Sequence, residues 1–129
     1  VVDSSVLIAV VTNEPDKAKL VQLTQNVDLI APHSIHWEIG NAFSAMFKRN
    51  RVTVEDAVQA IKAYQNITIR FVDVELEEAV RLASRLNIYA YDAYLIRCAL
   101  KYKSPLLSLD QRLLNFARSV NTQIVEVTP

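Results

Sequence analysis

The sequence predicts an α/β fold: a three-layer αβα sandwich in which helices cover both faces of a five-stranded parallel sheet. Short strand-like apolar runs alternate with helical stretches along the whole chain, and the breaks between them are brief. Right-handed crossovers in such a fold carry the loops after the strands to one sheet edge, where ligands bind. Two acids, Asp3 and Asp110, stand immediately after strand-like runs.

The elements follow in order. Val1-Val2 reads as a first strand ending at Asp3, and Val6 to Val11 continues as a helix. Glu14 to Gln25 reads as a second helix with Pro15 in its first turn, where proline is tolerated. Asp28 to Ala31 is a short strand stopped by Pro32, and Ser34 to about Asn50 is a long helix. Thr53 to Tyr64 is the next helix, with Thr53 as N-cap and Asp56 at the third helical position. Ile67 to Val72 alternates as a strand. Glu75 to Leu86 and Ala90 to Tyr102 are helical, Leu106 to Leu109 is a strand, Gln111 to Val120 is helical, and Gln123 to Val127 is a closing strand.

A chain of 129 residues without linker, repeat or low-complexity stretch is expected to form one domain over 1–129. An apolar fraction of 51% against 22% charged residues argues against disorder. No apolar run approaches the roughly 18 to 20 residues of a membrane helix. The chain opens at Val1 without a methionine, already inside a strand, so a few residues are expected to precede this numbering. No basic and apolar leader is visible, and the expected location is cytoplasmic.

Fourteen basic and fourteen acidic residues cancel, so any attraction to nucleic acid must be local. Cys98 stands alone in a helical stretch, which excludes an intrachain disulfide and a thiolate metal site. A single glycine, Gly40, excludes both a P-loop and a dinucleotide-binding turn, each of which needs several. His33 and His36 flank a helix start and read as surface or capping residues. If the protein handles phosphates, it must do so through metal or side chains.

Four acids suit that chemistry. Asp3 and Asp110 each close a strand and open a helix, and either also suits a plain N-cap. On a helical wheel Asp92 lies with Leu95, Ile96, Ala99 and Leu100, all within about 80°. Its alternative reading is an N-cap of a helix starting one residue later. Glu38 lies beside the apolar stripe of Ile35, Ile39, Ala42, Phe43 and Met46, one turn from Asn41. Its alternative is a surface glutamate. Two carboxylates about 4 Å apart repel by roughly 4 kcal/mol at an effective dielectric near 20, so a converged set takes up protons or binds a cation. Oxygen ligands alone select a hard ion, Mg²⁺ or Mn²⁺. Lys48, Arg49 and Arg51 form a local basic cluster at a helix end, which suits either the helix dipole or a phosphate.

The residues also carry a resemblance. Val-Val-Asp-Ser-Ser-Val-Leu-Ile at 1–8, Trp-Glu-Ile-Gly-Asn-Ala at 37–42, Tyr-Asp-Ala-Tyr-Leu at 91–95 and Leu-Leu-Ser-Leu-Asp-Gln-Arg-Leu at 106–113 resemble, in order, the motifs of PIN-domain proteins, especially VapC-type toxin ribonucleases. The resemblance implies a sheet order of 3-2-1-4-5, which sets Asp3 and Asp110 across one crevice. It implies that Asp3, Glu38, Asp92 and Asp110 form a Mg²⁺ or Mn²⁺ site, with Ser5 supporting Asp3 and Asn41 beside Glu38. Ser108 stands where the family often has threonine and keeps the hydroxyl. It further implies an endoribonuclease acting on tRNA or ribosomal RNA, with Arg112, Arg97, Lys48, Arg49 and Arg51 as candidate RNA contacts. The partners implied are a second copy of the chain and a cognate antitoxin. Two rival readings are a PIN-like module that binds RNA or protein without cutting, and a receiver-type phospho-acceptor domain. The receiver reading needs a second acid where Ser4 stands and a lysine after the last strand, and the sequence has neither.

Overall fold

The computed structural model describes residues 1–127. Their elements are α1 (Ser4–Val11), α2 (Lys17–Thr24), β1 (Leu29–Pro32), α3 (Ser34–Lys48), α4 (Val54–Gln65), β2 (Ile69–Val72), α5 (Leu76–Leu86), α6 (Ala90–Tyr102), β3 (Leu106–Leu107), α7 (Gln111–Ser119) and β4 (Ile124–Val125). No helix among the described residues is long and apolar enough to cross a membrane.

The α/β alternation is present, but the continuous five-stranded ladder is not. Two two-stranded parallel sheets form instead, β1 with β2 and β3 with β4. The Val1-Val2 segment lies between them. Val2 makes a single parallel bridge to Leu107 and donates its N–H to the Ile30 carbonyl at 3.0 Å. On the other side Leu107 donates to the Val1 carbonyl at 2.8 Å, and Asp3 donates to the Leu107 carbonyl at 3.1 Å. Strands come out shorter than their apolar runs because pairing needs a partner along the full length. Ser108 and Leu109 leave the ladder to hydrogen-bond at the sheet edge, and the last pairing ends at Val125. Pro32 is the last residue of β1, where a missing N–H ends the ladder at least cost.

The helices follow their local chemistry closely. Thr53 caps α4 by accepting from the Asp56 N–H at 3.1 Å. α2 begins at Lys17, later than the periodicity suggests, because Pro15 and Asp16 turn ahead of it. With one glycine in the chain, left-handed positions fall to Asn13, Asn26, Asn50, Asn87, Asn121 and Lys103. Asparagine tolerates that conformation better than most side chains. Leu20, Ile35, Phe43, Leu95, Ile96, Leu106, Leu113 and Leu114 are fully buried between the helices and the strands. α6 packs against both β1 and β3. It feeds β3, so its first turn lies at the sheet's carboxyl edge.

Candidate metal centre at the carboxyl edge of the strands

Asp3 follows Val2 directly and caps α1, its Oδ1 accepting from the Ser4 N–H at 2.7 Å. The side chain is buried. Its Oδ2 accepts from the Ser5 hydroxyl at 2.8 Å and from the Ser108 hydroxyl at 2.7 Å. Each serine is held in turn by backbone: the Leu109 N–H donates to Ser5 Oγ at 3.0 Å, and the Asp110 N–H donates to Ser108 Oγ at 2.9 Å. Asp110 then caps α7, its Oδ1 accepting from the Arg112 and Leu113 N–H groups at 3.0 and 3.2 Å. The capping and clustering readings of Asp3 and Asp110 therefore hold together, since each uses part of its carboxylate as a cap. Asp110 Oδ2 has no hydrogen-bond partner among the described residues.

Glu38 is in the second turn of α3, half-buried, and its Oε2 is buried without a hydrogen-bond partner among the described residues. Burial above all, then the charges of Asp3 and Asp92, push its carboxyl up to about 8. Asp92 lies in the first turn of α6, where Tyr89 is the N-cap, so the capping alternative for Asp92 does not apply. It makes no hydrogen bond among the described residues. Burial, then Asp110, then Asp3 raise its carboxyl, and Arg112 opposes them.

The charges of Asp3 and Asp92 thus reach Glu38, and those of Asp110 and Asp3 reach Asp92. Even so, no group of three or more His, Cys, Asp or Glu side chains among the described residues is drawn close enough to hold a metal ion. In donor chemistry the residues fit a hard cation: oxygen ligands only, one of them a buried oxygen with nothing else to bind.

The other predicted residues divide. Ser5 and Ser108 support Asp3 through the bonds above. Asn41 is exposed, and its amide makes no hydrogen bond among the described residues. Arg112 lies near Asp92 and stacks over the Phe116 ring, 5.4 Å from its centroid. Arg97 is committed to Glu75, with Nε 3.3 Å from Oε1, while Lys101 takes the other oxygen at 3.2 Å. Lys48, Arg49 and Arg51 are exposed at the far end of α3, and Lys48 is about 15 Å along the helix axis from Glu38.

Sequence reasoning gave little weight to Trp37, which is 72% exposed beside Glu38. The wheel that buries Ile35 and Ile39 turns Trp37 outward and could have shown it. It also missed the His36 Nδ1 to Tyr64 hydroxyl hydrogen bond of 2.5 Å, which ties α3 to α4.

The Glu38 proton has a measurable consequence. Between the free glutamic acid value near 4.3 and about 8, the folded chain keeps a proton that the unfolded chain has released. This contribution is fully present below the unfolded value and is lost as pH rises through the folded one. Metal-free protein should lose about 2 kcal/mol between about pH 5 and pH 8.5, after discounting for solvent at a half-buried group. Urea unfolding with chelator across that window should show the decline, and Glu38→Gln should flatten it. An unchanged decline in the variant would assign the proton elsewhere.

Residues 1–119 match the family model described as PIN domain. The crystal structure of PAE2754 from Pyrobaculum aerophilum is similar with a TM-score of 0.72 at 23% identity, covering 95% of this chain and 80% of that one. At that identity the likeness is one of fold. No curated protein matches the chain.

Proposed function

The chain belongs to the PIN-domain family, and from that premise we propose that it is a Mg²⁺- or Mn²⁺-dependent endoribonuclease of the VapC toxin type. PIN domains are typically nucleases and generally use divalent metal ions. The observation that carries the reading is the mutual charge of Asp3, Glu38, Asp92 and Asp110 at one sheet edge, with a buried Glu38 oxygen left unpaired.

These four acids would hold the cation. When bound, it would activate a water and neutralise charge on the scissile phosphate. The remaining work belongs to the chain. Ser5 and Ser108 fix the plane of the Asp3 carboxylate, so that acid costs little reorganisation during reaction. Glu38 would have to release its proton to serve among the residues that hold the cation, and the Asp110 oxygen without a partner among the described residues is available to orient a water. Arg112 is the cation best placed to hold a phosphate at the edge, since phosphodiester cleavage depends on in-line placement. Loops of tRNA or ribosomal RNA are the substrate class this reading favours, because an unpaired segment can be splayed into a narrow edge.

The same reading implies a homodimer and an antitoxin whose basic side chain competes with metal for the acids. Metal titration of such a complex would show weakened affinity if that competition holds. The test of the function itself is cleavage of end-labelled small RNA by antitoxin-free protein. Discrete cuts are expected with Mg²⁺ or Mn²⁺, and none with EDTA. Folded protein that binds Mn²⁺ yet cuts nothing would instead support a non-cleaving module.

A further inference from the structure

α5 and α6 are joined by three residues, Asn87 to Tyr89, and pack side by side as an antiparallel pair. On their flank is a cleft of about 300 Å³ lined by Glu78, Arg81, Leu82, Arg85, Arg97 and Leu100. Three guanidinium groups there face one carboxylate. Arg97 is already engaged by Glu75, which also holds Lys101. Arg81 and Arg85 have no hydrogen-bond or ion-pair partner among the described residues and are exposed. Even with Glu75, Glu78 and Lys101 included, the cluster keeps an excess of two positive charges (four cations less two anions).

In a chain of zero net charge, such an excess in one concave place stands out. Arg81 and Arg85 are four residues apart, on one face of α5 and about 6 Å apart along its axis. Arg85 is in the last turn of α5, at the end where α6 begins and Asp92 sits. Arg97 lies about 7.5 Å along α6 from Asp92, and about 140° round the helix from it. The cleft is therefore a flank leading away from the acid edge.

We propose that the α5–α6 cleft, through Arg81, Arg85 and Arg97, binds the phosphates of RNA entering or leaving the acid edge. Guanidinium groups suit this because their planar donors pair with phosphate oxygens two at a time. Leu82 and Leu100 give the floor an apolar wall. Glu78, at its α5 end, disfavours anions that pass that point. The inference rests on the ribonuclease reading, since it names a second contact for the same substrate.

The test is binding of a fluorescently labelled oligouridylate to the full chain with EDTA present, as a function of salt. Each lost phosphate contact on a single strand lowers the salt slope by roughly 0.7, so Arg81→Ala/Arg85→Ala should be shallower by about 1.4. Arg81→Lys/Arg85→Lys should keep most of the slope, because the charge remains. An unchanged slope in the alanine variant, in protein that still cuts RNA, overturns the cleft and leaves the nuclease standing. Wild-type protein that binds no RNA overturns both. Tighter binding of polyglutamate than of oligouridylate overturns the proposal in favour of an acidic protein partner.

Discussion

Asp3→Ala is expected to abolish RNA cleavage and to cost the fold about 3 kcal/mol. The second effect follows from the bonds Asp3 makes away from any metal. It caps α1, and caps of this kind contribute about 1 kcal/mol. Besides a long hydrogen bond from the Ser4 hydroxyl at 3.4 Å, it accepts two short ones, from the hydroxyls of Ser5 and of the buried Ser108. Hydrogen bonds to a charged acceptor contribute about 1.5 to 3 kcal/mol each, and part is recovered because the two hydroxyls, 3.4 Å apart, can pair with each other. Asp3→Asn keeps an acceptor oxygen and should cost about 1 kcal/mol while still losing cleavage. Urea unfolding of both variants separates the roles. Alanine protein as stable as wild type would show that the serine network does not hold this edge together.

Asp92→Asn should lower cleavage by about a thousandfold and leave metal-free protein slightly more stable. Asp92 makes no hydrogen bond among the described residues, and burial with the charges of Asp110 and Asp3 disfavours its ionised form. Removing that charge relieves repulsion that Arg112 only partly offsets. Screened by solvent at a half-buried position, the gain is about half a kcal/mol. The sign should reverse with Mn²⁺, because a ligand that binds only the folded state stabilises it. Wild-type protein should gain melting temperature on adding Mn²⁺, and the variant should gain much less. A variant that melts below wild type without metal would mean that Asp92 has a structural role the geometry does not reveal.

These two acids show what a sequence can and cannot carry. Helices are local objects, and the Ala90–Tyr102 and Thr53-capped segments are recognisable from periodicity and cap chemistry alone. Strand length depends on a distant partner. Leu106 to Leu109 therefore reads as one strand, although only Leu106–Leu107 pair and Ser108 turns to Asp3. The acids could be found because desolvation makes inward carboxylates expensive wherever they occur. Asn41 misleads because a helical wheel gives angles within one helix and says nothing of which flank meets the sheet edge. The ion pair of Arg97 could not be read for a similar reason: its partner Glu75 is 22 residues away, at the N-cap of the preceding helix.

The bond from Ser108 to Asp3 joins residues 105 positions apart. Contacts of such long sequence separation close late in folding, because the intervening chain must give up its freedom first. Asp110, beyond Ser108, is a further member of the same set. A ribosome delivers this chain from the amino end, so Asp3, Glu38 and Asp92 all emerge before the residues that complete the edge. The nascent chain therefore carries most of its acids without the means to align them. Synthesis acts as a timer: the set of acids can close only after residue 110 has left the exit tunnel.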